Sequence, residues 1–402
     1  MYAAAMVQRL GHAITFHFDA FPLLPNFSSG SRDSIWWLPQ PTSDGFLVIS
    51  NFGSDPVQAR QTFTGDKARY STDLTLAPHE TRRIRIRETV QRAGFASAQG
   101  GMKLAFKSGA GSVYVAQVLF DETTDFSALM KLFERDLADK VDTITIRAPL
   151  VGLATPDPML GYPQGTVLYP SIFVRNVTDT AITPTMLISW KSAGSTGQTP
   201  LDLGKVAAEE TRRVDLTALQ GVPSDANWAN VEITYSGRLG DLIAVAASYD
   251  DSKRYGLQSP FSSSITYMWK GGMWHVDPTH DTLITTGNAG QKNARVAISL
   301  FYGDSGVYQL PERVLVPGQQ TWVDVGNLIH NQVADKNGQL MPPGAMEGSY
   351  EIKDLDARGA GYLYEGKTIT DKTFGHATYG CAECCMQSGP GYNSFHCCPV
   401  KS

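Results

Sequence analysis

The sequence predicts an all-β protein: three tandem antiparallel β-sandwich units followed by a short cysteine-rich C-terminal tail. A turn-rich composition, period-two alternation and a threefold internal repeat predict it. The 402 residues carry 38 Gly and 22 Pro between short Val/Ile/Thr/Tyr runs, the make-up of many strands joined by turns. With 42% apolar and 18% charged residues the chain can bury real cores, which excludes a disordered polymer. In "TRRIRI", Ile84 and Ile86 face one way and Arg83 and Arg85 the other. "VEITYSG" likewise sets Val231, Ile233 and Tyr235 against Glu232 and Thr234. Such alternation buries one face of an antiparallel sheet, and two stacked sheets hide both apolar faces.

The repeat gives the organisation. "TLAPHETRRIRI" (75–86) lines up with "KVAAEETRRVDL" (205–216) and with "VLVPGQQTWVDV" (314–325). Each copy follows an apolar strand ending at Asn51, Asn176 or Asn288, and precedes a strand ending at Asp121, Asp250 or Glu365. The distance from the Asn to Ile84, Val214 or Val323 is 33, 38 and 35 residues, an order and spacing hard to produce by chance. The expected divisions are an N-terminal extension over 1–34, units over 35–133, 159–262 and 263–370, a linker over 134–158, and the tail over 371–402. "ITFHFDAF" (14–21) alternates strictly and is expected to add one strand to the first sheet. Leu129, Leu132, Phe133 and Leu137 recur at helical spacing, which predicts a short helix entering the linker. Three units in tandem suggest a rod.

The repeat separates frame residues from added ones. "WLPQPTSDGFLVISN" (37–51) matches "WHVDPTHDTLITTGN" (274–288) without a gap, pairing Trp37 with Trp274, Pro41 with Pro278, Thr42 with Thr279 and Asp44 with Asp281. The shared residues belong to the frame, and Asp281 is expected to bond backbone N–H groups at the turn. His275, Asp277 and His280 stand where the first unit has Leu38, Gln40 and Ser43. Positions 275 and 277 of a strand share a face, and the turn at Pro278 returns His280 toward them. Two imidazoles and a carboxylate suit zinc with one position open to water, whose lowered pKa would make it a hydrolytic nucleophile. The competing reading is two surface histidines at a loop mouth. "GDSG" (303–306) resembles a serine-protease nucleophile loop, but "TGDKARY" (64–70) places Gly65 and Asp66 at the same point, so a hairpin turn explains both.

All five cysteines lie between Cys381 and Cys398. Cys381, Cys384, Cys385, Cys397 and Cys398, with His376 and His396, allow a disulfide staple, a structural zinc knuckle, or free or intermolecular thiols. Trp36, Trp37, Trp269 and Trp274 mark the unit edges, where they either stack on sugar rings or fill the junctions between sandwiches. Asn26 and Asn176 begin glycosylation sequons. A net charge of −5 argues against nucleic-acid partners, since phosphate binding needs a basic surface. No apolar run reaches the roughly 18 residues of a membrane span. "MYAAAMVQRLGH" has its Arg after the apolar run, unlike a secretory signal.

"WKGGMWHVD", "LITTGN", "NQVADKNG", "GYLYEGK" and "DKTFGHATYGCAECC" resemble uncharacterised bacterial proteins of tandem immunoglobulin-like units, over roughly residues 30–385. The resemblance implies a secreted or envelope-associated protein and transfers no catalytic residue. The expected function is a non-catalytic scaffold or adhesion protein at the cell surface or outside it, presenting loops to a protein or polysaccharide partner. The alternatives are a metal-dependent hydrolase centred on His275, Asp277 and His280, with zinc as the candidate ion, and a carbohydrate-binding protein using the Trp-rich edges. Sheet edges or tail cysteines would permit self-association.

Overall fold

The structure, a computed structural model, describes residues 4–8, 15–19, 30–108, 112–124, 126–130, 132–133, 141–151, 167–192, 194–216, 221–223, 226, 228–250, 256–261, 269–288, 290, 292–356, 363–371 and 376–379. It is all-β, with sheets stacked in pairs; among the described residues every strand pairing is antiparallel except that of Phe126–Met130 with His376–Tyr379. Strands β1 (Ala4–Gln8) and β2 (Thr15–Asp19) pair with each other in a two-stranded sheet. The alternating 14–21 segment therefore does not extend the first sheet, because the segment just upstream supplies a nearer antiparallel partner.

The first unit holds β3 (Ser31–Trp37), β4 (Ser43–Asn51), β5 (Val57–Gly65), β6 (Ala68–Leu76), β7 (Thr81–Arg85), helix α1 (Ile86–Arg92), β8 (Gln99–Ser108), β9 (Val113–Asp121) and β10 (Phe126–Met130). The second holds β11 (Val141–Val151), β12 (Tyr169–Asn176), β13 (Thr185–Lys191), β14 (Thr196–Asp202), β15 (Thr211–Asp215), β16 (Trp228–Gly237), β17 (Leu242–Tyr249) and β18 (Gly256–Pro260). The third holds β19 (Trp269–His275), β20 (His280–Asn288), β21 (Ala294–Tyr302), β22 (Gly306–Gln309), β23 (Arg313–Leu315), β24 (Gln320–Asp324), α2 (Val325–His330), β25 (Glu347–Asp354), β26 (Leu363–Asp371) and β27 (His376–Tyr379).

Each unit pairs two sheets. The inner-numbered sheets run β3-β8-β5-β6, β11-β16-β13-β14 and β19-β25-β21-β22; their partners run β10-β9-β4-β7, β18-β17-β12-β15 and β27-β26-β20-β24. β10 and β27 bond to each other, joining units one and three into one eight-stranded sheet. The chain thus folds back on itself, and a rod is excluded.

The repeat is visible as one triplicated lock. The buried side chains of Asn51, Asn176 and Asn288 each donate Nδ2 to the carbonyl four residues on (Asp55 2.8 Å, Thr180 2.7 Å, Lys292 2.6 Å) and accept at Oδ1 from the N–H two residues on. Their backbone N–H groups donate to Glu80, Glu210 and Gln319 in turns whose third residues, His79, Glu209 and Gly318, all have positive φ.

The register corrects one marker and two boundaries. Asn51, Asn176 and Asn288 stand opposite Val113, Leu242 and Leu363, so the counterpart of Asp121 and Asp250 is Asp371, not Glu365. β11 lies inside the expected linker yet pairs along β16, because its alternating "TITIR" needs a sheet on one face. β27 draws the first residues of the tail onto β26. The helix over 129–137 is absent at its described end. Leu129 and Met130 lie in β10 along β9, and Phe133 exchanges backbone bonds with Asp33 at 2.7 and 2.9 Å. The free edge of β9 offers bonds that outweigh helical spacing; Leu137 lies outside the described residues.

Successive units dock face to face. Every residue of β17 is buried, because its sheet is covered on both sides. Ile172, Val174, Leu242, Ala244 and Ala246 enter the second unit's core, while Phe173, Ile243, Val245, Ala247 and Tyr249 enter the first unit's. Trp37 lies across that boundary, with ring centroids 4.9 Å from Phe173 and 4.5 Å from Tyr249. The second unit meets the third through Asn230 Nδ2 to Asn288 O at 2.6 Å and Gln320 Nε2 to Ala229 O at 3.0 Å. Among the described residues no helix is long and apolar enough to cross a membrane.

Candidate metal centre

β19 ends at His275 and β20 begins at His280, so the histidines flank a tight connection that Asp277 organises. Asp277 Oδ1 accepts from Thr279 N (2.6 Å), His280 N (2.7 Å) and Thr279 Oγ1 (2.8 Å), an Asx turn of the kind Asp-Pro-Thr favours. Thr282 Oγ1 fixes the strand end, accepting from His275 N at 2.9 Å and donating to His275 O at 2.6 Å.

The second carboxylate oxygen faces the imidazoles. Asp277 Oδ2 lies 2.8 Å from His275 Nε2 and 3.0 Å from His280 Nδ1, with Oδ1 3.1 Å from the latter. The rings are 5.9 Å apart, and one ligand atom from each residue falls within 4.8 Å of the others. His280 is buried, whereas the side chains of His275 and Asp277 keep 22% exposure, so the cluster has a closed floor and an open mouth. Burial raises the Asp277 pKa, but bonds from His275, Thr279 and His280 outweigh it and hold the carboxyl well below the usual carboxylate range.

These groups fit a divalent ion. Zinc at about 2.0–2.2 Å from two nitrogens and an oxygen needs those atoms roughly 3 Å apart, near the 2.8 and 3.0 Å between Asp277 Oδ2 and the two imidazole nitrogens. Binding would displace the imidazole protons now shared with Oδ2, while Oδ1 continues to hold the turn. The open mouth leaves room for a water ligand. Replacing Asp277 by Asn is expected to cost roughly 1.5–3 kcal/mol at neutral pH through the lost charged hydrogen bonds. Because the carboxyl is depressed in the fold, that advantage is full above the ordinary carboxylate pKa of about 4 and fades as pH falls toward the depressed value. Melting temperatures of both proteins across pH check this, the gap closing only in acid.

The structure revises the frame around the cluster. Trp36, not Trp37, is the counterpart of Trp274. Each packs its ring against a glycine, Gly100 or Gly348, where a Cβ would lie 2.6 or 2.7 Å from the indole. Two residues on, Leu38 N donates to Ala98 O and Val276 N to Met346 O, both at 2.7 Å. His275 therefore matches Trp37 rather than Leu38, and the first unit's connection is one residue longer. His280 still matches Ser43, since both open their strands. The turn that the sequence assigns to Asp281 is capped by Asp277; Asp281 and its counterpart Asp44 instead reach the two helix starts, accepting from Gly326 N (2.8 Å) and Arg87 N (3.0 Å).

The stacking platform is overturned where it is described: Trp36, Trp37 and Trp274 are buried and fill cores and a junction. Trp269 belongs to β19, with its side chain outside the described residues. Gly303, Asp304 and Ser305 form the turn between β21 and β22, as Asp66 and Lys67 do between β5 and β6. Asn176 is buried with its amide committed, so that sequon is closed to a glycan in the folded protein. Cys381, Cys384, Cys385, His396, Cys397 and Cys398 lie outside the described residues, as do Asn26 and the side chain of His376. Thr279 and Thr282 escaped sequence reasoning; Thr279 looked like frame because Thr42 shares its place. Compared with known proteins, the chain matches no family model, no curated protein and no solved structure.

Proposed function

We propose that the chain is a non-catalytic scaffold or adhesion protein of the cell surface or exterior, built from immunoglobulin-like units, that presents loops to a protein or polysaccharide partner. One loop of the third unit carries this reading. Residues 331–346 leave Val333 37%, Leu340 47% and Met346 53% exposed, although Met341 in the same loop is fully buried. The loop is held in shape. The Asp335 carboxylate accepts from Gln309 N, Asn337 N and Gln339 N, Tyr308 Oη donates to Val333 O at 3.1 Å, and Gln332 Nε2 donates to Met341 O at 3.0 Å. Apolar side chains on a pre-ordered loop bind with little ordering cost. Retention of the labelled protein on bacterial envelope preparations tests this. The triple variant V333S/L340S/M346S is expected to lose it at least roughly tenfold at unchanged melting temperature. Equal retention of variant and parent overturns it.

A second reading, a zinc-dependent hydrolase, is favoured by the convergence of His275, Asp277 and His280. It requires stoichiometric zinc by elemental analysis and turnover in an ester, peptide and glycoside panel, both lost in His275→Ala. Zinc without turnover makes the centre structural; no zinc ends this reading.

A further inference from the structure

A cleft of about 600 Å³ opens in the first unit between the edge strands β6 and β7, beside α1. Its wall includes Phe46, Ile84 and Tyr70, with Arg83, Arg85 and Arg92 around it. Gln61, another wall residue, is out of character with its position. It faces inward on β5 between the core residues Ala59 and Phe63, is only 3% exposed, and its buried Nε2 has no hydrogen-bond partner among the described residues.

The other units show that the fold does not need an amide there. Gln61 lies three residues before Thr64, whose carbonyl approaches Gly100; in the third unit the carbonyl approaching Gly348 is that of Phe301, three residues after Ile298. In the second unit Met186 stands opposite Ile233, four residues before the end of β16, as Gln61 stands opposite Leu104, four residues before the end of β8. Ile298 and Met186 are buried core residues. A unit that folds with Met or Ile at this point carries an unpaired buried amide in its first copy alone, a penalty that a ligand oxygen would relieve.

The charges around the cleft are unequal. Arg85 is neutralised by Asp44 at 2.5 Å and Arg92 by Glu88 at 2.5 Å. Arg83 has no acidic partner among the described residues and lies over the Phe46 ring, 5.6 Å from its centroid. The site thus offers one uncompensated guanidinium, one inward amide donor and an apolar wall, with the Glu88 carboxylate disfavouring a second negative charge. We infer that this cleft binds a small organic carboxylate at the sandwich edge, its anion paired with Arg83, an oxygen accepting from Gln61 Nε2, and its body against Leu74 and Ile84. This site is independent of the exposed loop and of the metal centre.

Calorimetric titration of the full chain with benzoate and with glucuronate tests it, glucose and inorganic phosphate serving as controls. At least one carboxylate is expected to bind, with a preference between them telling an apolar from a hydroxylated body. Gln61→Met and Arg83→Ala are each expected to weaken binding roughly tenfold or more. Gln61→Met is expected to melt no lower than the parent, since it restores the residue of the second unit, so lost binding is not lost folding. The inference is overturned if neither carboxylate binds up to on the order of 10 mM. Equal affinity in both variants, or phosphate binding as tightly as carboxylate, overturns it as well.

Discussion

Arg175→Ala is expected to destabilise the protein by about 3–5 kcal/mol, because it removes the charge that locks the first two units together. The guanidinium is buried between them, and Nη1 donates to Thr64 Oγ1 (2.8 Å) in one unit and to Glu209 O (2.9 Å) and Thr211 Oγ1 (3.2 Å) in the other. Burial pushes its pKa down, while the carboxylates of Asp33 and Glu209 push it back up. Truncation leaves these acceptors facing a cavity and deprives buried Asp33 of a compensating cation. Arg175→Met, which keeps volume without charge, is expected to cost less. Gly101→Ala is expected to resemble Arg175→Ala, since its Cβ would fall 1.7 Å from Nη1 and evict the guanidinium. Urea unfolding followed by tryptophan emission reads both, because Trp37 sits at the same junction. A loss under about 1 kcal/mol for Arg175→Ala would mean the units are held by apolar docking alone.

The parts of the fold legible in the sequence are those set by local chemistry repeated three times. The Asn51, Asn176 and Asn288 strand ends, the turns at Glu80, Glu210 and Gln319, and the alternation in β7 and β16 each depend on residues close in the chain. What was lost depends on partners distant in the chain. β10 has helical spacing, and only the free edge of β9 makes it a strand. β11 reads as linker until β16 is beside it. A gapless alignment placed Trp37 on Trp274 because it could not register one extra residue in a turn, and a slip of one moves a side chain to the opposite face. That slip separates Trp36, inside its own core, from Trp37, facing the second unit. For the metal cluster, the residue types and the shared face of positions 275 and 277 were readable. The Asx turn that aims Asp277 at both imidazoles was not, since it needs Thr279 and Thr282 in place. Gln61 gave no signal at all: a Gln in a strand looks solvent-facing until its neighbours Ala59 and Phe63 are seen in the core.

The triplicated asparagine also ranks its own substitutions. Asn176→Ala is expected to cost about 3 kcal/mol or more, since each buried group left without a partner costs on the order of 1–3 kcal/mol. Its Nδ2 serves three carbonyls, Thr180 (2.7 Å), Ala207 (3.0 Å) and Val206 (3.2 Å), and its Oδ1 takes both Thr178 N (2.9 Å) and Thr178 Oγ1 (2.7 Å). Asn51 Nδ2 serves two carbonyls, and so does Asn288 Nδ2. Asn51→Ala and Asn288→Ala are therefore expected to cost less than Asn176→Ala. Asn→Asp is expected to be nearly as damaging as Asn→Ala, because the donors are lost and a carboxylate is set against carbonyl oxygens. Asn→Ser is no substitute either, as one hydroxyl cannot serve two carbonyls and an N–H. Chemical denaturation of the three Ala variants checks the order. Equal costs at all three positions would mean that the strand ends are held by the backbone bonds of the turns, with the side chain only filling space.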